Sequence, residues 1–199
     1  MSDLLVGNVF LPVLPLGDAC LFPESSMEIV VTAHAALRAV EMAARTGGRL
    51  LAVANRDGAT SARDIHQLGT VAEIASAGAS IEGGRRVELD GTRRARVVSL
   101  IGLDVLLAES TILEDGDTGD DWGAAVEALA RYLHAHPDLR SFLDRQRRSP
   151  EPMGWVNLAC QHLPITATAR QKLLESSGAD RCLRISRGLD ALLRKEHGA

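Results

Sequence analysis

The chain has 199 residues, 46% of them hydrophobic and 24% charged, with a formal net charge of -4; this excludes a disordered chain and gives no general affinity for nucleic acid. Aromatic residues make up only 3%, so Leu, Val, Ile and Ala must fill one good core or two small ones. The three cysteines are widely spaced, the apolar N-terminus is broken by Pro12 and Pro15, and no long apolar run follows; a disulfide framework, a metal or other cofactor, secretion and membrane contact are not expected, and a reducing cytoplasm is.

Phe10 to Leu16 reads as a proline-bearing edge strand, because each proline removes one ladder donor. Met27, Ile29 and Val31 alternate with Glu28 and Val30 as a second strand. Thr32 is placed to cap a helix that buries Ala36, Leu37, Val40 and Ala44 and stops at Gly47-Gly48. Leu50 to Ala54 is a compact apolar strand, and Asn55-Arg56-Asp57-Gly58 is a turn. Leu68 to Ala77 resumes the strands, and a loop is expected between Gly78 and Gly84. Arg86, Glu88 and Asp90 then alternate with Val87 and Leu89, which predicts one wet and one buried face. Two further strands, Arg93 to Leu100 and Asp104 to Thr111, complete a meander turned at Ile101-Gly102.

The acidic run from Glu114 to Asp121 marks a boundary, beyond which the apolar period changes from two to about 3.6. The expected organisation is a β-rich part over residues 1–114, an acidic linker over 115–121 and a helical part over 122–199. Trp122, Val126, Leu129 and Leu133 mark one helical face, and Pro137 breaks the helix before Leu139, Phe142 and Leu143. Pro150 and Pro152 open a segment burying Val156, Leu158, Ala159 and Leu163. Thr166 caps a helix carrying Leu173 and Leu174 that ends at Gly178, and Asp180 caps the last one, with Leu183, Leu189, Leu192 and Leu193 inward.

Four blocks carry a resemblance. Leu11-Pro12-Val13-Leu14-Pro15-Leu16 with Leu21-Phe22-Pro23, then Leu68 to Ile74, then Gly91-Thr92-Arg93-Arg94-Ala95-Arg96-Val97, and more loosely Leu163-Pro164-Ile165, Gln171, Leu173-Leu174-Glu175 and Arg181 are together similar to the N-terminal, substrate-binding domain of Lon protease. Two positions depart from the family pattern: Gly17 stands where Arg is usual, and Glu24 where Gly is usual. The resemblance implies an α+β fold, a PUA-like pseudo-barrel with one inserted helix followed by a helical bundle. It also implies a recognition module for unfolded or hydrophobic polypeptide segments or a partner protein, which either delivers clients to a separate protease as an adaptor or competes with one; weak self-association is a further expectation. The sequence has no Gly-Lys-Ser or Gly-Lys-Thr, and its only lysines, Lys172 and Lys195, lie inside the domain-like region. Neither the ATPase nor the Ser-Lys protease of full Lon is therefore expected.

The remaining candidates weaken on inspection. His134 and His136 could pinch a metal, but residues two apart on a helix diverge. His66 with Asp64 could form a general base, yet no nucleophile motif accompanies it. Cys160-Gln161-His162 pairs a thiol with an imidazole at a spacing that does not face on a helix. Arg85, Arg86, Arg93, Arg94 and Arg96 could contact phosphates, because PUA-like barrels occur in RNA-binding proteins. The alternative to polypeptide binding is thus an RNA-binding module centred on Arg93, Arg94 and Arg96. Interleaved acids and the lack of an aromatic platform favour solvated strand faces instead.

Overall fold

The computed structural model describes residues 8–56, 59, 61, 63–81, 84–114 and 121–197. It divides into two compact units, Met1–Glu114 and Asp115–Ala199. Of the acidic stretch read as a linker, residues 115–120 lie outside the described residues, and Asp121 already opens a helix.

The first unit holds β1 (Val9–Pro15), β2 (Ser26–Val31), α1 (His34–Arg45), β3 (Arg49–Val53), β4 (Leu68–Ile81), β5 (Gly84–Ile101) and β6 (Leu107–Leu113). The strand order is β2-β5-β4-β3-β1-β6, and β6 also pairs with β5. That second pairing closes five strands into a barrel and leaves β2 as a flap on the first half of β5. Among the described strands only β1 and β3 run parallel, and α1 provides the crossover such a pair needs.

β1 is not an edge strand. Its residues Val9 to Pro12 pair with β6, and Val13 to Pro15 pair with β3. The two ladders are offset, so Pro12 ends one and Pro15 ends the other, where a missing N–H matters least. β3 is apolar from Leu50 to Val53 because both its faces are covered there. Leu50 and Ala52 join a cluster with Leu14, Val40 and Leu89 under α1, while Leu51 and Val53 join Leu11, Val71, Ala95 and Ala108 in a second.

Helix α1 begins after Ala33, with no side-chain cap, and buries Ala39, Val40 and Ala43; neither the Thr32 cap nor an inward Ala44 is found. β4 continues through Gly78 to Ile81, where the sequence predicts a loop, and residues 82–83 lie outside the described residues. Val87 and Leu89 are buried opposite the wetter Arg86, Glu88 and Asp90, as the alternation requires. Arg86 to Leu100 is one strand, not two.

The second unit comprises α2 (Asp121–Ala135), α3 (Pro137–Gln146), α4 (Pro152–His162), α5 (Ala167–Glu175) and α6 (Gly178–His197). Pro137 is the first residue of α3, and Thr166 Oγ1 accepts from Ala169 N at 3.2 Å as the cap of α5. α4 packs against α2, α3, α5 and α6, which is why Val156, Asn157, Leu158, Ala159, Cys160 and Gln161 are all buried. Gly178 starts α6 instead of ending α5. Ser177, not Asp180, provides the cap, its Oγ accepting from Asp180 N at 3.3 Å. Leu183 points outward, and Arg181, Cys182, Ile185 and Leu189 form the buried side of α6.

Candidate functional site

The first three blocks meet at one place in the first unit. Thr70 Oγ1 donates to Leu21 O at 2.6 Å, Glu24 N donates to Gly91 O at 2.8 Å, and Gly91 N donates to Ser25 O at 2.9 Å. Gly91 has no space for a side chain, because a Cβ there would lie 2.2 Å from Phe22 O. Glu24 takes φ of 56°, the only positive value at a described non-glycine residue, so a glycine would fit this turn better. These residues hold β1, β4 and β5 to the Leu21–Ser25 turn. Their role is to build the scaffold.

One accessible feature of this unit is the outer edge of β2. Among the described strands β2 pairs only with β5, so one side of its backbone is uncovered. Next to that edge is a trough of about 400 Å³ bounded by Leu14, Leu16, Ile29, Val31 and Ala36. Val30 is 57% exposed. On the strand itself Glu28 faces Glu88 across the ladder, an unfavourable pairing of like charges. Arg86 offsets it by donating to Glu28 Oε1 at 3.0 Å. An uncovered edge beside a trough that offers both polar and apolar surface is suited to an extended peptide, whose main chain extends the ladder while alternate side chains enter the trough.

The arginines read from the sequence are divided. Arg93 and Arg96 are exposed, but Arg94 is buried, only 4% of it reaching solvent. Arg93 instead lines a cleft of about 380 Å³ together with Arg49 and Glu73, neighbours that arise from strand register and that no local pattern announces. Arg85 and Arg86 lie opposite Val31 and Val30 on the flap.

The other candidates have structural partners. His136 Nδ1 lies 2.8 Å from Tyr132 O, its ring stacks on Tyr132, and Nε2 is 3.4 Å from Glu196, whereas His134 points to solvent. His66 N donates to Ala54 O, and Asp64 O accepts from Arg56 N, on either side of the Asn55–Ile65 bridge. The three cysteines are free and buried. Burial pushes the Cys160 thiol up to about 12, with Arg181 pulling the other way, so it is no thiolate at neutral pH. The His162 ring meets Phe142 edge-on, and its pKa is lowered by burial and by Arg170.

Sequence reasoning noted Arg181 without its role. Its side chain is fully buried; Nη1 donates to Asn157 Oδ1 at 2.6 Å, Nε to Leu173 O at 3.0 Å and Nη2 to Ser176 O at 3.1 Å. It caps the end of α5, sharing Leu173 O with Ser176 N, which donates at 3.3 Å, and supplying a donor to Ser176 O. Its place at i with Ile185 and Leu189 at i+4 and i+8 was the available signal: a cation on an apolar stripe.

Residues 10–190 match the model of the ATP-dependent protease La (LON) substrate-binding domain. Lon protease of Xanthomonas oryzae is 27% identical over 90% of this chain, and Lon protease 1 of Thermus thermophilus is 28% identical over 98% of it. The chain spans 22% and 25% of those relatives' lengths. Among solved structures, the N-terminal domain of Mycobacterium avium complex Lon protease matches with a TM-score of 0.71 at 21% identity, covering 92% of this chain and 98% of that one. A Lon N-terminal domain protein from Xanthomonas campestris matches with a TM-score of 0.63 at 23% identity over 88% and 95%. These likenesses establish a shared α+β fold. No described helix is long and apolar enough to cross a membrane.

Proposed function

The chain belongs to the LON substrate-binding domain family, and from that premise we propose that it is a non-catalytic module that captures unfolded or hydrophobic polypeptide segments by extending the β2 edge. The observation that carries this reading is the uncovered side of β2 with a trough of mixed polar and apolar surface directly beside it. Main-chain hydrogen bonds supply affinity for any extended segment, and the trough rewards apolar side chains at alternate positions, so recognition tolerates many sequences. Capture of this kind needs no nucleophile, and the buried, protonated Cys160 offers none. In the cytoplasm such a module would deliver clients to a separate protease, or compete with one for them.

The test is fluorescence anisotropy of a labelled, extended apolar peptide against the wild type and Ala36→Glu. This change puts a carboxylate into the trough from the surface of α1, and affinity should fall about tenfold or more as the charge is desolvated. Unchanged affinity in the folded variant would move the site away from β2. Binding of RNA with a steep salt dependence, lost on replacing Arg93 and Arg96, would favour the nucleic-acid reading. ATP hydrolysis or casein cleavage by the pure protein would overturn the non-catalytic one.

A further inference from the structure

In the second unit, α5 and α6 run back from the Ser176-Ser177 turn and leave a groove of about 260 Å³ between them. Its floor is apolar, with Leu163, Leu173, Ile185 and Leu189 buried beneath the half-buried Ile165 and Leu192. Ala169 on one wall and Gly188 on the other keep it open. A Cβ built on Gly188 meets nothing within 4 Å, so packing does not require glycine there. Glycine is nonetheless the least favourable ordinary residue inside a helix.

The charged residues lining this groove are both cations, Lys172 from α5 and Arg184 from α6. Neither has an ion-pair partner among the described residues. Of the acids on these helices, Glu175 accepts from Gln171 Nε2 at 3.0 Å, Asp190 accepts from Arg131 at 2.9 Å on the α2 side, and Glu196 lies 3.4 Å from His136, while Asp180, one turn before Arg184, does not line the groove. The groove is therefore an apolar slot with a cation on each wall and no carboxylate in its lining. It is smaller than the roughly 300 Å³ at which small-molecule pockets begin, and its two-helix walls match the apolar stripe of an incoming helix.

We propose that this groove docks an amphipathic helical segment of a client polypeptide whose leucine-like stripe is flanked by acidic residues, the stripe entering between α5 and α6 and the acids pairing with Lys172 and Arg184. The inference rests on the polypeptide-recognition reading, but it names a second site and a charge preference that an edge strand would not impose. Gly188 is the residue that holds the slot open.

Two labelled helical peptides test it, with leucines at i and i+4 flanked by glutamates in one and by lysines in the other. Anisotropy titrations at low salt should show the glutamate peptide binding the wild-type chain at least about tenfold more tightly than the lysine peptide. Gly188→Leu, which favours the helix and fills the slot, should abolish binding while its thermal melt stays as high as that of the wild type. The double reversal Lys172→Glu with Arg184→Glu should invert the preference. Equal affinity for both peptides overturns the charge assignment, and unchanged affinity in Gly188→Leu overturns the site. If Gly188→Leu instead removes self-association seen by sedimentation, the occupant is a second copy of the chain and the proposal fails. Titration with unfolded carboxymethylated lactalbumin separates the two readings: wild-type binding that survives Gly188→Leu leaves the general reading standing without this groove, and no binding at all removes both.

Discussion

Arg181 shows how one buried cation can organise a bundle. Three of its donors end on acceptors from α4, from α5 and from the residue after α5, so removing the guanidinium takes a charged donor from three buried oxygens at once. Arg181→Met should cost about 3 kcal/mol or more. Urea denaturation followed by tryptophan fluorescence measures this in the second unit alone, because Trp122 and Trp155 are the only tryptophans. A loss below about 1 kcal/mol would show that water replaces the guanidinium. Glu24 gives the opposite sign. Its left-handed backbone costs an L-residue about 1–2 kcal/mol, part of which glycine returns as entropy in the unfolded chain. Glu24→Gly should therefore stabilise the first unit by about 0.5–1 kcal/mol, read as a higher denaturation midpoint by circular dichroism.

At the level of elements, β5 is where local pattern and structure part. Gly91-Thr92 looks like a break between two strands, yet the 18-residue β5 passes through it without interruption. Its register against β4 shifts opposite this point, and the glycine lets the Leu21–Ser25 turn press onto the strand. Periodicity reports which face a residue takes but cannot report that another segment lies against the backbone. Gly91→Ala should destabilise by about 3 kcal/mol, since the obstructing atom is a main-chain carbonyl that cannot swing aside. A near-neutral result in chemical denaturation would mean that the Leu21–Ser25 turn lifts freely from β5. The same distinction explains β1, whose two prolines read as an edge signal. They are tolerated in a strand paired on both sides because its partners change between Pro12 and Val13.

Over the whole molecule, the features legible in the sequence are those with a local cause. The change from a period of two to one of 3.6, the helix break at Pro137, the Thr166 cap and the alternation of Arg86 to Asp90 each depend on residues within one or two turns. They suffice for the α+β class, and the ordered blocks from Leu11 to Arg181 suffice for the family. Tertiary structure alone decided the closure of the barrel by β6, the burial of Arg94 and Arg181, the companionship of Arg93 with Arg49, and the two features proposed as binding surfaces. Each of these joins segments tens of residues apart. Such pairings are set by register and packing across the fold, where a side chain's surroundings come from distant strands and helices, and the neighbouring sequence carries no trace of them.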